Sequence, residues 1–190
     1  MTRSLSTLLF SLLAFSLSAQ RYLTEVFTNV DVSSAVQYGQ ATSVIGFNVD
    51  LAMDIYEPQG DTQTERPLMV LAHGGSFVTG DRSDAYMVAI CEEFARKGYV
   101  TASITYRLGI NLNNLNEVDK ELVKASIRAI QDHRAAVRFF YESARDNGNP
   151  YGIDTNRIIA GGLSAGAIAA NHAQLFWDES TASTDVQQLI

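Results

Sequence analysis

Three short apolar runs, each followed by a stretch with helical periodicity, constrain the fold of this chain more than any other feature. The runs cover residues 68–72, 99–108 and 158–161, and the helical stretches cover residues 84–97, 118–145 and 165–176. A continuous apolar run of this length is typical of a strand that is buried on both faces. Strand and helix in alternation predict an α/β fold, a mostly parallel sheet with helices on both faces.

A different pattern precedes these units. Residues 47–55 alternate between apolar and polar side chains, a period that predicts a half-exposed strand, antiparallel and at an edge of the sheet. The apolar positions are Phe47, Val49, Leu51, Met53 and Ile55. We predict a polar N-terminal lead-in over residues 20–45 and one partial domain over residues 46–190, since no repeat or linker divides that part.

Residues 1–19 have the features of a secretory signal peptide. A basic residue, Arg3, precedes a short apolar run, and small residues follow at Ser18 and Ala19. Cleavage is expected after Ala19, with Ser18 as the rival site. An uncleaved anchor is the alternative, although the run is short for a membrane span. We therefore expect a secreted or periplasmic protein with no stable membrane anchor after cleavage.

The mature chain is expected to be acidic. The sequence holds 14 basic and 21 acidic residues, and loss of Arg3 with the signal peptide leaves 13 basic residues and a net charge of −8. An acidic surface argues against nucleic acids and anionic membranes as partners.

The chain has one cysteine, Cys91, on the apolar face of the first predicted helix. A single cysteine with no second cysteine to pair with is unusual in an exported protein. We expect a small core residue; the alternative is a disulfide to a partner outside this sequence.

The serine at the end of the third apolar run is the first candidate for chemistry. Residues 162–166 read Gly-Leu-Ser-Ala-Gly and match the pattern G-x-S-x-G. In a tight turn between a strand and a helix, such a serine is strained and exposed, and the glycines let neighbouring backbone pass closely. Because a strand is predicted before Ser164 and a helix after it, we predict a nucleophile. The alternative is a packing turn with an idle serine.

A second glycine-rich segment follows the first apolar run, about 90 residues before Ser164. It reads His-Gly-Gly-Ser-Phe over residues 73–77. Consecutive glycines in such a loop can present main-chain N–H groups to an oxyanion. Donors aimed at developing negative charge are usually the largest electrostatic contribution to acyl transfer.

Together, the segments HGGSFVTG, SITYRLG and GIDTNRIIAGGLSAGA resemble the carboxylesterase and lipase branch of the α/β-hydrolase superfamily, from about residue 49 to residue 177. Bacterial carboxylesterases and hormone-sensitive-lipase-like esterases are the nearest comparison. The resemblance implies an α/β-hydrolase fold, truncated after the nucleophile helix, in which Ser164 is the nucleophile and no metal or organic cofactor takes part. It implies that the N–H groups of Gly74, Gly75, Ser76 and Ala165 form the oxyanion hole.

Two details of the resemblance bear on individual residues. Many members have a third glycine where this chain has Ser76, whose side chain would narrow the acyl pocket. Tyr106 and Arg107 match a common pair after a central strand, for which a structural role is implied.

A serine nucleophile also needs a base and an acid, which follow the serine in this superfamily. His73 belongs to the glycine loop, and the resemblance implies that it shapes this loop. His133 precedes the serine on a helix, where we expect a surface or packing role. His172 lies eight residues after Ser164 on one predicted helix, about 12 Å along its axis. A base must come within about 3 Å or act through one water. We therefore expect the acid and base to lie beyond Ile190, in which case this chain is an inactive N-terminal fragment.

The leading function is a secreted serine hydrolase that cleaves small-molecule carboxylic esters through an acyl-enzyme. Without further strands the nucleophile strand would be an exposed apolar edge, so we expect the 190-residue chain to fold poorly or associate. One alternative is a secreted peptidase of the same fold; by analogy with the family, the glycine loop favours ester over peptide substrates. The other is a non-catalytic binding module that keeps the shape of a hydrolase.

Overall fold

The computed structural model describes residues 20–175, which form a five-stranded mixed sheet with helices on both faces. The strands are β1 (Val30–Thr42), β2 (Asn48–Pro58), β3 (Arg66–Ala72), β4 (Val100–Ile104) and β5 (Ile153–Gly162). The helices are α1 (Ala85–Arg96), α2 (Val118–Asp146), which a 3₁₀ segment Leu112–Glu117 precedes, and α3 (Ala165–Leu175). The predicted α/β fold class is confirmed. The predicted signal peptide lies outside the described residues.

The strand order β1-β2-β4-β3-β5 places the candidate segments side by side. Strands β4 and β5 both pair with β3 in parallel, whereas β2 pairs with β4 and β1 in antiparallel fashion. Ala72 is in register with Ile104 on one side and with Gly162 on the other. The chain leaves β3 towards β4 and later crosses back to β5, so the end of β3 is the point where the strand order reverses. Ligands of open α/β sheets bind at such a point.

The two crossovers run in opposite directions and therefore place their helices on opposite faces of the sheet. Helix α1 packs on one face through Met87, Cys91 and Ala95. Helices α2 and α3 cover the other face, largely through alanines and Phe140. Cys91 is fully buried, and its burial raises the pKa of the thiol to about 12. The prediction of a core residue is confirmed.

The N-terminal region differs from the sequence-based expectation. The predicted lead-in over residues 20–45 contains β1, a 13-residue strand that belongs to the same sheet. Two register shifts interrupt its pairing with β2, and Ala35 has a positive φ of 55°. These bulges break the period of two by which a strand is recognised in a sequence. The prediction that β2 is an edge strand is therefore wrong, since β1 and β4 flank it.

A buried ion pair joins the end of β4 to α2. The guanidinium of Arg107 contacts both carboxylate oxygens of Asp132 at 2.7–3.0 Å, and the Arg107 main-chain N–H donates to the same carboxylate at 2.7 Å. A further N–H of Arg107 donates to the carbonyl oxygen of Thr42 at the end of β1. Arg107 thus has the structural role that the resemblance implied, because it ties three elements together.

Strand β5 forms one edge of the sheet in the described part of the chain. It pairs with β3 on one side only, and Ile159 on this strand is 43% exposed. The prediction that the nucleophile strand presents an apolar edge is confirmed for residues 20–175.

Candidate active site

Ser164 occupies a strained turn between β5 and α3. Its φ is +48°, in a region that residues other than glycine rarely adopt, and its side chain is exposed. The Ser164 carbonyl oxygen accepts the N–H of Ile168 at 3.1 Å and so begins the helix. The hydroxyl consequently stands at the N-terminus of α3, where the helix dipole favours negative charge.

The two glycines that flank this serine are required by close backbone contact. A β-carbon on Gly162 would lie 2.5 Å from the carbonyl oxygen of Ala72, and one on Gly166 would lie 2.5 Å from the carbonyl oxygen of His73. The turn therefore packs directly on the end of β3. The Leu163 N–H donates to the Ala72 carbonyl oxygen at 3.1 Å and fixes this contact.

The glycine loop starts at the same point and passes beside Ser164. A β-carbon on Gly74 would lie 3.5 Å from the Ser164 β-carbon and 3.3 Å from the Leu163 carbonyl oxygen. The next three residues, Gly75, Ser76 and Phe77, all have positive φ, at 114°, 55° and 61°. Positive φ at two non-glycine residues is backbone strain, which persists only where surrounding contacts impose it.

The main-chain N–H groups around Ser164 fall into two classes. The Gly74 N–H donates to the hydroxyl of Tyr86 at 3.0 Å, so this amide is already engaged. The N–H groups of Gly75, Ser76 and Ala165 have no hydrogen-bond partner within residues 20–175. Three of the four predicted oxyanion donors are thus available for a ligand, and Gly74 instead provides the space beside the serine.

His73 is enclosed in the base of the loop. Its ring is fully buried and stacks on Tyr106, with ring centroids 4.4 Å apart. Its Nδ1 lies 2.7 Å from the Gly74 carbonyl oxygen; because a carbonyl only accepts, Nδ1 carries the hydrogen. The Tyr106 hydroxyl donates to the His73 carbonyl oxygen at 2.9 Å, and burial raises the pKa of this phenol. Both residues support the loop, in agreement with the roles that the resemblance implied.

The other two histidines lie away from the serine. His133 is fully buried in α2, and neither ring nitrogen forms a hydrogen bond with the described residues. Burial lowers its pKa to about 4. A packing role is thus found rather than a surface one. His172 lies on α3 with Nδ1 2.8 Å from the Ile168 carbonyl oxygen, so the helical spacing that separates it from Ser164 is confirmed.

Tyr86 is the residue at this site that sequence reasoning missed. It lies in the first turn of α1, 12 residues after Gly74, and the residue is 40% exposed. No motif marks it, because its contact with the glycine loop depends on how the intervening turn folds back.

No group of three or more His, Cys, Asp or Glu side chains within residues 20–175 is arranged to hold a metal ion. No helix in that part of the chain is long and apolar enough to cross a membrane.

A family model named BD-FAE matches residues 53–189 of this chain. The matched region contains both glycine segments, β3 to β5 and all three helices. It covers well over half of the sequence.

Solved structures of Est2, an esterase from the planctomycete Thermogutta terrifontis, are similar to this chain. The propionate-bound form is 26% identical with a TM-score of 0.53, and the match covers 74% of this chain and 44% of Est2. The butyrate-bound form gives the same identity and TM-score, with 74% and 43% covered. Est2 phosphorylated by paraoxon is 26% identical with a TM-score of 0.51, with 75% and 46% covered. This chain spans less than half the length of these esterases.

Proposed function

Because this chain belongs to the BD-FAE family of esterase-like α/β-hydrolases, we propose that it is the nucleophile-bearing part of an enzyme that hydrolyses small-molecule carboxylic esters through an acyl-enzyme on Ser164. One observation carries the proposal: an exposed serine at φ +48° lies beside Gly74, at the point where the strand order reverses. A strained, exposed serine in that position is suited to attack a bound carbonyl group.

The reaction would proceed in two acyl transfers. The Ser164 Oγ attacks the ester carbonyl carbon as a base takes its proton, and the carbonyl oxygen becomes an oxyanion. The unpartnered N–H groups of Gly75, Ser76 and Ala165 would donate to that oxyanion. Removing one such donor typically costs about 3 kcal/mol of transition-state stabilisation. The alcohol leaves with the proton, and water then releases the acid and restores the serine.

The base and the acid would come from outside the described residues. Within residues 20–175 the His73 Nε2 and both nitrogens of His133 have no hydrogen-bond partner, so neither ring contacts the serine hydroxyl. His172 lies about 12 Å along the helix. The complete reading frame that contains this chain is therefore the sample in which activity should be measured.

Short acyl groups are the proposed substrates. The similar esterase Est2 has been solved with propionate and with butyrate. In this chain Ser76, rather than a third glycine, follows Gly75 in the loop beside the nucleophile, and its side chain is exposed there. A β-carbon and hydroxyl at this position take space that a longer acyl chain would need.

Export is also proposed. The basic start, short apolar run and small residues of positions 1–19 support a cleaved signal peptide. Expression with the native N-terminus, followed by sequencing of the secreted or periplasmic product, should give a first residue of Gln20. Cell-retained protein that begins at Met1 would refute export.

The activity test compares the complete protein with its Ser164→Ala variant on p-nitrophenyl acetate, butyrate and octanoate and on a dipeptide p-nitroanilide. We expect turnover of acetate and butyrate, weaker turnover of octanoate, and none of the dipeptide. The variant should lose about 10⁵-fold or more in kcat. A fluorophosphonate probe should label the wild-type protein and not the variant. Ester turnover that survives Ser164→Ala would refute the proposal, and faster cleavage of the dipeptide would favour the peptidase.

A further inference from the structure

The hydrogen bond between the Gly74 N–H and the Tyr86 hydroxyl is unexplained by the ester chemistry itself. This amide begins the loop whose next two N–H groups are the proposed oxyanion donors. A phenol oxygen accepts it at 3.0 Å, and the same oxygen lies 3.7 Å from the position of a β-carbon on Gly74. Ser164 lies 3.5 Å from that same position. The phenol oxygen and the Ser164 β-carbon therefore both lie close to the same side of Gly74.

The phenol is itself held by a carboxylate. The Tyr86 hydroxyl donates to Oδ2 of Asp84 at 3.3 Å, and the Asp81 N–H donates to the same oxygen at 3.0 Å. A hydroxyl that donates to a carboxylate becomes a better acceptor, so the Asp84 contact strengthens the bond from Gly74. Asp84 makes no side-chain cap hydrogen bond to α1, so its carboxylate is not needed to start that helix.

The segment that carries this pair is anchored to the sheet. Arg82 forms an ion pair with the buried Asp54 of β2 at 2.9 Å, and the Ser103 hydroxyl of β4 donates to the Arg82 carbonyl oxygen at 2.8 Å. The Thr105 hydroxyl contacts the Asp81 carboxylate at 3.3 Å. Tyr86 therefore reaches the glycine loop from a segment that two strand side chains, Asp54 and Ser103, and Thr105 just after β4 hold in place.

The loop needs such a restraint because its conformation is strained. Ser76 and Phe77 both have positive φ, a conformation that costs free energy at residues other than glycine. If the Gly74 peptide could rotate, the directions of the N–H groups of the next two residues would change with it. An oxyanion hole requires donors within a few tenths of an ångström of their working position.

We propose that Tyr86, supported by Asp84, is a positioning residue for the oxyanion hole: its hydroxyl holds the Gly74 peptide so that the N–H groups of Gly75 and Ser76 face Ser164. This inference rests on the proposed ester hydrolase function. In this role Tyr86 acts through the loop, and the described hydrogen bonds of its hydroxyl go to Gly74 and Asp84.

The first test is Tyr86→Phe in the complete protein, which keeps the ring and removes the hydroxyl. We expect kcat on p-nitrophenyl butyrate to fall about 10-fold with KM unchanged, as for loss of one hydrogen bond that matters only in the transition state. The affinity of a trifluoromethyl ketone inhibitor, whose serine adduct carries an oxyanion, should fall by the same factor. A merely structural role would lower the thermal midpoint and leave the ratio of inhibitor affinity to KM unchanged.

The matched control is Tyr141→Phe. Tyr141 is 46% exposed and donates its hydroxyl to the Thr155 carbonyl oxygen at 3.1 Å, away from the glycine loop. This variant also loses a hydrogen bond between a tyrosine hydroxyl and the main chain, and it should keep wild-type kcat and inhibitor affinity. A loss equal to that of Tyr86→Phe would overturn the proposal.

A double-mutant cycle tests the role of the carboxylate. Asp84→Asn replaces the carboxylate with an amide of the same shape, whose oxygen is a weaker hydrogen-bond acceptor. This variant should have a kcat about threefold lower. In the Tyr86→Phe background the same change should have no further effect, because the two residues act in series. Additive losses, or wild-type kinetics for Tyr86→Phe, would overturn the proposal. Since Ser164→Ala is assayed in parallel, failure of the ester hydrolase function itself appears separately, as activity that does not depend on the serine.

Discussion

The carbonyl oxygen of Ala72 lies 2.5 Å from the position that a β-carbon on Gly162 would occupy. Ala72 ends β3 and Gly162 ends β5, and the two residues are in register. This contact joins the strand that leads into the glycine loop to the strand that leads into Ser164. It explains why the turn before the nucleophile tolerates no side chain at this position.

Alanine at either flanking glycine should therefore disrupt the site. Gly162→Ala and Gly166→Ala place a β-carbon against backbone, which cannot yield as a side chain would, so we expect at least 2 kcal/mol of destabilisation and loss of activity. Urea unfolding and ester turnover measure both effects. Gly39→Ala is the control, because the nearest atom to its β-carbon would be 3.8 Å away. Wild-type behaviour of Gly166→Ala would contradict the packing described for the turn.

Replacing Ser164 with glycine should stabilise the fold and abolish activity. Glycine adopts a positive φ without strain, so the gain is expected to be roughly 0.5–1 kcal/mol after its larger unfolded-state entropy is subtracted. Ser164→Ala keeps the strain and should leave the free energy of unfolding within about 0.5 kcal/mol of wild type. Chemical denaturation of the three proteins tests the difference. Equal stability of the glycine and alanine variants would show that the turn is not strained.

The ion pair between Arg107 and Asp132 should be important for stability. Asp132→Ala leaves a buried guanidinium without its carboxylate, for which we expect a loss of about 3–5 kcal/mol. Asp146→Ala removes the partner of Arg145, an exposed pair, and should leave the free energy of unfolding close to that of wild type. Thermal and urea unfolding distinguish the two variants, and similar small losses in both would argue against a buried pair.

Acid sensitivity should arise in part from His133. Burial lowers its folded-state pKa from 6.5 to about 4, so between these values the unfolded chain binds a proton that the folded chain does not. Stability is therefore lost as the pH falls through this window, by up to about 3 kcal/mol. His133→Leu should flatten the dependence of unfolding free energy on pH between 4 and 6.5. An unchanged slope in His133→Leu would assign the acid sensitivity to other groups.

The β5 edge should drive self-association of the chain of residues 20–190. Ile159 is 43% exposed on the strand that pairs on one side only within the described residues. Ile159→Lys places a charge on this edge and should reduce association, as light scattering can measure. Val32→Lys on the opposite edge strand, where Val32 is 47% exposed and bulges interrupt the pairing, is the control. If Val32→Lys abolished association and Ile159→Lys did not, the contact would lie at the β1 edge instead.

Much of the local structure could be predicted from patterns of neighbouring residues. The apolar runs at residues 68–72 and 158–161 lie within β3 and β5, and the predicted helices agree with α1, α2 and α3 to within a few residues. Strand β1 could not be predicted, because its bulges leave no regular alternation. The engagement of the Gly74 amide by Tyr86 could not be predicted either, since it depends on a turn whose path is set by contacts with β2 and β4.

The sequence by itself determined the local conformations: which segments form strands and helices, and where glycine permits the tight turn around Ser164. These depend on periodicity and on backbone freedom, both of which are properties of adjacent residues. Only the tertiary structure decided that Ser164 lies beside Gly74, about 90 residues earlier, and that Tyr86 takes the Gly74 amide. Those contacts follow from β5 pairing with β3 rather than with β4, a long-range choice set by the packing of helices on opposite faces of the sheet.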